Sequence, residues 1–128
     1  MPTINAYIAL DPSEKEAKKD YIDRHSPFIT VAASAPKGEK LPVNVRLGKD
    51  YLHPDDTDHY IEEIKLFDGE TLLASATLLS GNNGGQGGKG QAEITFFIVP
   101  QKKLKLTALA YCTKHGLWQS DPAVVEVA

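Results

Sequence analysis

Leu41, Val43, Val45 and Leu47 recur at every second position, as do Leu104, Leu106, Ala108 and Ala110. Successive side chains of an extended chain point to opposite faces, so each set can line one buried face of a strand. One further step of the second alternation points Cys112 inward. Seven segments share this character: FITVAAS, LPVNVRLG, YIEEIKLF, TLLASATLL, QAEITFFIV, LKLTALAYC and AVVEV are short, rich in β-branched or aromatic residues, and separated by turn-forming residues. In FDGE, Asp68 and Gly69 both tolerate positive φ, which predicts a hairpin between two of these strands. Ahead of the strands Asp11 can cap exposed amides and Pro12 fits a first helical position, so SEKEAKKDYIDR predicts a helix of roughly three turns ending at about Asp23. The pattern predicts an all-β fold, an immunoglobulin-like antiparallel β-sandwich of about seven strands with a short N-terminal helix.

Composition adds limits to that picture. The 128 residues suffice for one core and predict a single domain, with residues 1–24 as the helical segment and 25–128 as the sandwich. Hydrophobic residues at 41% and charged residues at 24% fit a folded, water-soluble chain. A formal charge of -3 lacks the concentrated basic face that nucleic acid requires, so no nucleic-acid partner is expected. The start, MPTINAYIALDPSEKEAKK, has no basic region before its short apolar stretch and no small-residue cleavage pattern. No run approaches the ~18 apolar residues that span a bilayer, so a cytoplasmic location without a membrane partner is expected. The glycine-rich SGNNGGQGGKGQ, residues 80–91, invites a phosphate-loop reading. A Walker loop needs Lys followed by Ser or Thr and then a helix, whereas Lys89 is followed by Gly90 and a strand. A mobile connection between strands is expected there.

Candidate chemistry gathers on few residues. The only cysteine, Cys112, cannot form an internal disulfide and is left as a buried thiol, a reactive thiol, a metal ligand or an intermolecular bridge. The four histidines are His25, His53, His59 and His115. His115 follows Cys112 in a turn that leaves a strand, and His53 and His59 share the Pro-bent HPDDTDH loop. His25 lies in DRHSP, where Pro27 disfavours continuing the helix and takes the side chain off a regular face. Thiolate and imidazole together suit first-row transition metals, not Ca²⁺ or Mg²⁺, which ask for oxygen. Each residue alone also has an ordinary reading, as a hydrogen-bonded surface histidine or an inert buried thiol.

Taken together, HPDDTDHYIEEIKLF and ALAYCTKHGLWQSD resemble the superoxide reductases, the neelaredoxin and desulfoferrodoxin group. DRHSP resembles that family's third signature, usually Glu-Lys-His with a proline two residues on, and LGKDYLHP places Lys49 where members often carry a lysine. The motifs stand in the family's order and the resemblance runs from about Asp23 to Asp121. It implies one iron per chain, held by His25, His53, His59 and His115 in a square with Cys112 at the apex, and a sixth position left open. Trp118 would pack nearby as a core aromatic. The implied reaction passes one electron to superoxide, takes up two protons and releases hydrogen peroxide, with an external donor restoring ferrous iron. Catalytic roles fall to Asp23, Arg24 and Lys49. Members usually carry Glu-Lys where this chain has Asp23-Arg24; the shorter Asp23 is poorly suited to ligate ferric iron, and Arg24 can steer an anion but holds its proton too tightly to donate it. The chain lacks the four cysteines of the second iron domain of full-length desulfoferrodoxins. It is therefore similar to the one-iron class, whose members imply rubredoxin as donor and often a homotetramer. Backbone amides after Cys112 are expected to tune the sulfur. Competing readings are a non-catalytic iron electron carrier with the same ligands, a zinc or copper site, and a sandwich interaction module.

Overall fold

The computed structural model describes residues 18–128. The predicted helix start at Asp11 and Pro12 lies outside them. Helix α1, Lys19–His25, runs two residues beyond the predicted end at Asp23. Ser26 then turns extended, φ -83 and ψ 126, as the residue before a proline must, and Pro27 opens the first strand. His25 is thus the last residue of a regular helix, one turn beyond Tyr21, and not a side chain released from it.

The strands are β1 (Pro27–Thr30), β2 (Ser34–Ala35), β3 (Leu41–Leu47), β4 (His53–Pro54), β5 (Ile61–Asp68), β6 (Thr71–Thr77), β7 (Lys89–Gly90), β8 (Glu93–Ile98), β9 (Leu104–Cys112), β10 (Gly116–Gln119) and β11 (Ala123–Val127). All seven predicted segments contain strands. FITVAAS breaks into β1 and β2, and three short elements, β4, β7 and β10, join them. One sheet has the order β1-β3-β8, a second β2-β11-β9-β5-β6 with β10 also on β9, and β4 pairs with β7 in a third. Every strand pair is antiparallel except β2 with β11, a parallel exception to the antiparallel expectation.

The inner faces of the two large sheets share one core. Val43, Val45 and Leu47 meet Ile64, Leu66, Leu106, Ala108 and Val125, all at 0% exposure. Burial of each larger aliphatic side chain contributes about 1.5–3 kcal/mol, which makes these alternating faces the main force holding the sheets together. The alternation along β9 does carry to its end, and Cys112 is fully buried. The β5–β6 hairpin forms one residue later than expected. Its loop is Gly69-Glu70, only Gly69 has positive φ (+58), and Asp68 stays in β5, where its carboxylate accepts the Lys105 N–H at 3.0 Å.

Near one end of the sandwich β5 carries a bulge: Ile61 faces Cys112 while Glu63 faces Tyr111. Bulges bend a strand and re-aim its neighbours. Beyond this one, Thr113 donates its N–H to the Tyr60 carbonyl at 3.0 Å and its hydroxyl accepts the Tyr60 N–H at 3.2 Å. These bonds fasten the segment carrying His59 to the turn that follows Cys112. The end of α1 and strand β4 complete the same end of the molecule.

Candidate metal centre

His25, His53, His59 and Cys112 each bring one ligand atom to a common point, all within 4.8 Å of one another. His115 completes the arrangement: its Nδ1 lies 3.2 Å from His25 Nε2 and 3.8 Å from Cys112 Sγ. Going round from His25 to His53, His59, His115 and back, ring centroids stand 4.8, 4.8, 4.8 and 4.9 Å apart. Each ring is turned 76–84° from the next, while the diagonal pair His25 and His59 is 6.3 Å apart and within 23° of parallel. Four imidazoles therefore mark the corners of a square. Cys112 Sγ approaches His53 Nε2 to 3.4 Å.

Hydrogen bonds decide which ring nitrogen faces inward. His25 Nδ1 is 2.6 Å from the Tyr21 carbonyl one helical turn back, and donation there leaves Nε2 as the free acceptor. His53 does the same with the Pro54 carbonyl at 2.7 Å. His59 Nε2 is buried with no hydrogen-bond partner, a costly condition that a bound cation would relieve. An ion about 2.1 Å from nitrogen and about 2.3 Å from sulfur needs neighbouring nitrogens roughly 3.0 Å apart and sulfur roughly 3.1 Å from each. The observed 3.2, 3.4 and 3.8 Å separations come close to that requirement, so the donor set fits a first-row transition metal.

Electrostatics prepare the same set. Burial pushes the His25 and His53 rings down to about 4, against the opposing pull of the Tyr21 and Pro54 carbonyls, and the surrounding rings and Arg24 add to the fall. His59 is lowered too, by burial first and then by His115, Lys114 and Arg24. These three rings are neutral at pH 7 and ready to ligate. Burial raises the Cys112 thiol above 9.0, while the backbone N–H groups of Lys114 and His115 act in the opposite sense by facing the sulfur. Trp118 stacks on His25, centroids 5.0 Å apart and 18° from parallel, and donates Nε1–H to the His115 carbonyl at 3.1 Å. It is half-buried against the site, not in the sandwich core. Tyr21 stands edge-on to both His115 and Trp118.

The other three candidates take different places. Asp23 gives its carboxylate to the backbone N–H groups of Lys49, Asp50 and Tyr51 at 2.9–3.2 Å, tying α1 to the segment that leads into His53. Lys49 is exposed. Arg24 lies closest in electrostatic effect, lowering His25, His53, His59 and Cys112 alike; its Cζ stands 5.6 Å from the Tyr21 ring centroid. The glycine-rich segment, expected as a mobile connection, takes part in pairing and hydrogen bonding with the segment that carries His53. It pairs β7 with β4 and surrounds Asp55, a buried residue that the sequence reading passed over because nothing distinguishes it from Asp56 and Asp58 in the same turn.

The desulfoferrodoxin family profile matches residues 13–121. The chain belongs to the desulfoferrodoxin family. Its relatives in that family include the superoxide reductase of Pyrococcus furiosus, 31% identical over 110 residues that cover 77% of this chain and 86% of the relative. The neelaredoxin of Megalodesulfovibrio gigas is 28% identical over 113 residues, 80% of this chain and 87% of the relative. Among solved structures, the superoxide reductase (neelaredoxin) of Archaeoglobus fulgidus in the reduced form superposes with a TM-score of 0.62 at 27% identity, covering 80% of this chain and 90% of that one. Among the described residues of this desulfoferrodoxin-family chain, no helix is long and apolar enough to cross a membrane.

Proposed function

We propose that the chain is a superoxide reductase that holds one iron ion through His25, His53, His59, His115 and Cys112. The square of four imidazoles with a thiol beside it carries this reading, because a site with one face unliganded can admit a small anion. Iron bound there supplies a one-electron couple between its ferrous and ferric states. Neutral imidazoles cancel none of a cation's charge and the Cys112 thiolate cancels one unit, so the site stays positive toward superoxide. Arg24 and Lys114 add to that potential. His25 and His53 are fully enclosed, whereas His59 and His115 are half-buried, which places the accessible edge on the side of His59 and His115.

The overall change is superoxide plus one electron plus two protons to hydrogen peroxide, and an external reductant returns the electron. Arg24 holds its proton too tightly to donate, so solvent supplies both. With its carboxylate engaged by three backbone amides, Asp23 anchors the segment before His53 in place of ligating. A small redox protein of the rubredoxin type as donor, a homotetrameric assembly, a cytoplasmic location and a single domain over residues 1–128 belong to the same proposal. Pulse radiolysis of the ferrous protein tests it. Superoxide should disappear at a near diffusion-limited rate with one equivalent of peroxide formed and no oxygen evolved; slow bimolecular loss equal to that in buffer would leave only an iron-binding protein.

A further inference from the structure

The segment 80–91 forms a cradle of backbone donors whose occupant is a side chain of the protein itself. Asp55 Oδ2 accepts the N–H groups of Gly81 at 2.8 Å, Asn83 at 2.9 Å and Gly85 at 2.7 Å. Converging amides of this kind make an anion site, and glycines let the backbone present them: Gly85 donates from φ +75. Asp55 is 2% exposed, and its negative charge is met by these three donors. Further bonds run along the same seam. Ser80 Oγ donates to the Asp55 carbonyl at 2.6 Å, Asp55 N–H to Gly88 at 3.0 Å, and Gly87 N–H to Asp56 Oδ1 at 2.7 Å. The Gln86 amide oxygen accepts both the N–H and the hydroxyl of Thr57 at 3.1 Å.

This seam lies between two candidate ligands. His53 pairs with Gly90 across the β4–β7 ladder, and its ring is oriented by the carbonyl of Pro54, the residue before Asp55. On the far side, Asp56 accepts the His59 N–H at 3.0 Å and closes the turn that presents His59. Asn83 also packs where a Cβ on Gly90 would fall, 2.6 Å from its Cγ, so the cradle and the strand beside His53 fit only with glycine there.

We infer that Asp55, seated in the amide cradle of residues 80–91, is a positioning residue for the metal centre: it fixes the spacing and direction of His53 and His59. The inference rests on the proposed metal-binding role. Its mechanical part does not need the metal.

Two measurements test it, with Co(II) as the probe. In the metal-free protein the amides of Gly81, Asn83 and Gly85 should exchange slowly and should lose that protection in Asp55→Ala; fast exchange in the wild type would overturn the cradle. Wild-type protein loaded with Co(II) should show a thiolate charge-transfer band, and its absence would sink the metal centre while leaving the exchange result to judge the cradle. Asp55→Ala should weaken Co(II) binding roughly tenfold to a hundredfold and shift that band, the usual effect of disturbing groups that orient ligands. Asp55→Asn, which keeps an acceptor oxygen for the three amides, should recover most of the affinity. If Asp55→Ala does not fold, Asp55→Asn and the milder Gln86→Ala carry the test, with a smaller loss and the same direction of band shift. Variants that lose thermal stability yet bind Co(II) as tightly as the wild type, with an unchanged spectrum, would make Asp55 a stabilising residue only and overturn the inference.

Discussion

Loading the metal-free protein with a divalent ion should release about one proton per ion at pH 7, and that proton should come from Cys112. The number follows from the site. With the His25 and His53 rings pushed down to about 4, only about 0.1% of either is protonated at pH 7, so neither has a proton to lose. Burial holds the Cys112 thiol above 9.0, which leaves the sulfur almost wholly protonated until a cation displaces the hydrogen. At pH 4 His25 and His53 are each about half charged, so binding should then expel more protons than at pH 7. Titration calorimetry with Co(II) in buffers of different ionisation enthalpy measures the count as a slope. Cys112→Ala should bring the slope at pH 7 close to zero while retaining weaker binding. A wild-type slope of zero would show that the sulfur is not a ligand or is already ionised. A slope of two or more at pH 7 would show that the imidazoles are charged, and the assignment of neutral, ready ligands would fail.

The same titrations fix how stability of the metal-free protein depends on pH. His25 and His53 are near 4 in the fold and at their ordinary 6.5 when unfolded, so between those values the unfolded chain binds more protons; the melting temperature should hold above pH 6.5 and fall steadily toward pH 4, and a flat profile would contradict the burial of neutral rings. Asp55, lowered because its three amide bonds outweigh the opposing effect of burial, should add its own loss only below pH 3.8. Arg24→Ala should slow the oxidation of the ferrous protein by superoxide at low salt, with the difference shrinking as salt is added; a rate unchanged at every salt concentration removes Arg24 from substrate attraction. Leu66→Ala, at a fully buried position between the sheets, should cost about 2–5 kcal/mol in chemical denaturation while leaving the absorption of the metal-loaded protein unchanged, and a shifted spectrum would show that core and site are not separable.

The long strands could be read from the chain because alternation is a local property: Leu41 to Leu47 and Leu104 to Cys112 declare their buried faces whatever they pack against. Strands β2, β4 and β7, of two residues each, have no periodicity to read and exist only through their partners. β10 was hidden by its proximity to Cys112 and His115, whose motif claimed the same residues. The end of α1 lies two residues beyond the expected one because Pro27 forces only Ser26 out of the helix and lets it run to His25. At the site, five candidate ligands could be named from three short motifs, whereas the square they form depends on contacts up to 90 residues apart in sequence. Asp55 could not be found, because three acidic residues share its turn and only the folded glycine segment selects one of them.

X-ray absorption at the iron edge of the ferrous protein tests the central claim most directly. Four imidazole nitrogens and one sulfur around a single iron are expected, with the sulfur shell lost in Cys112→Ala. A first shell of nitrogen and oxygen alone, or fewer than four imidazoles, would contradict the five-ligand centre and the reactivity assigned to it.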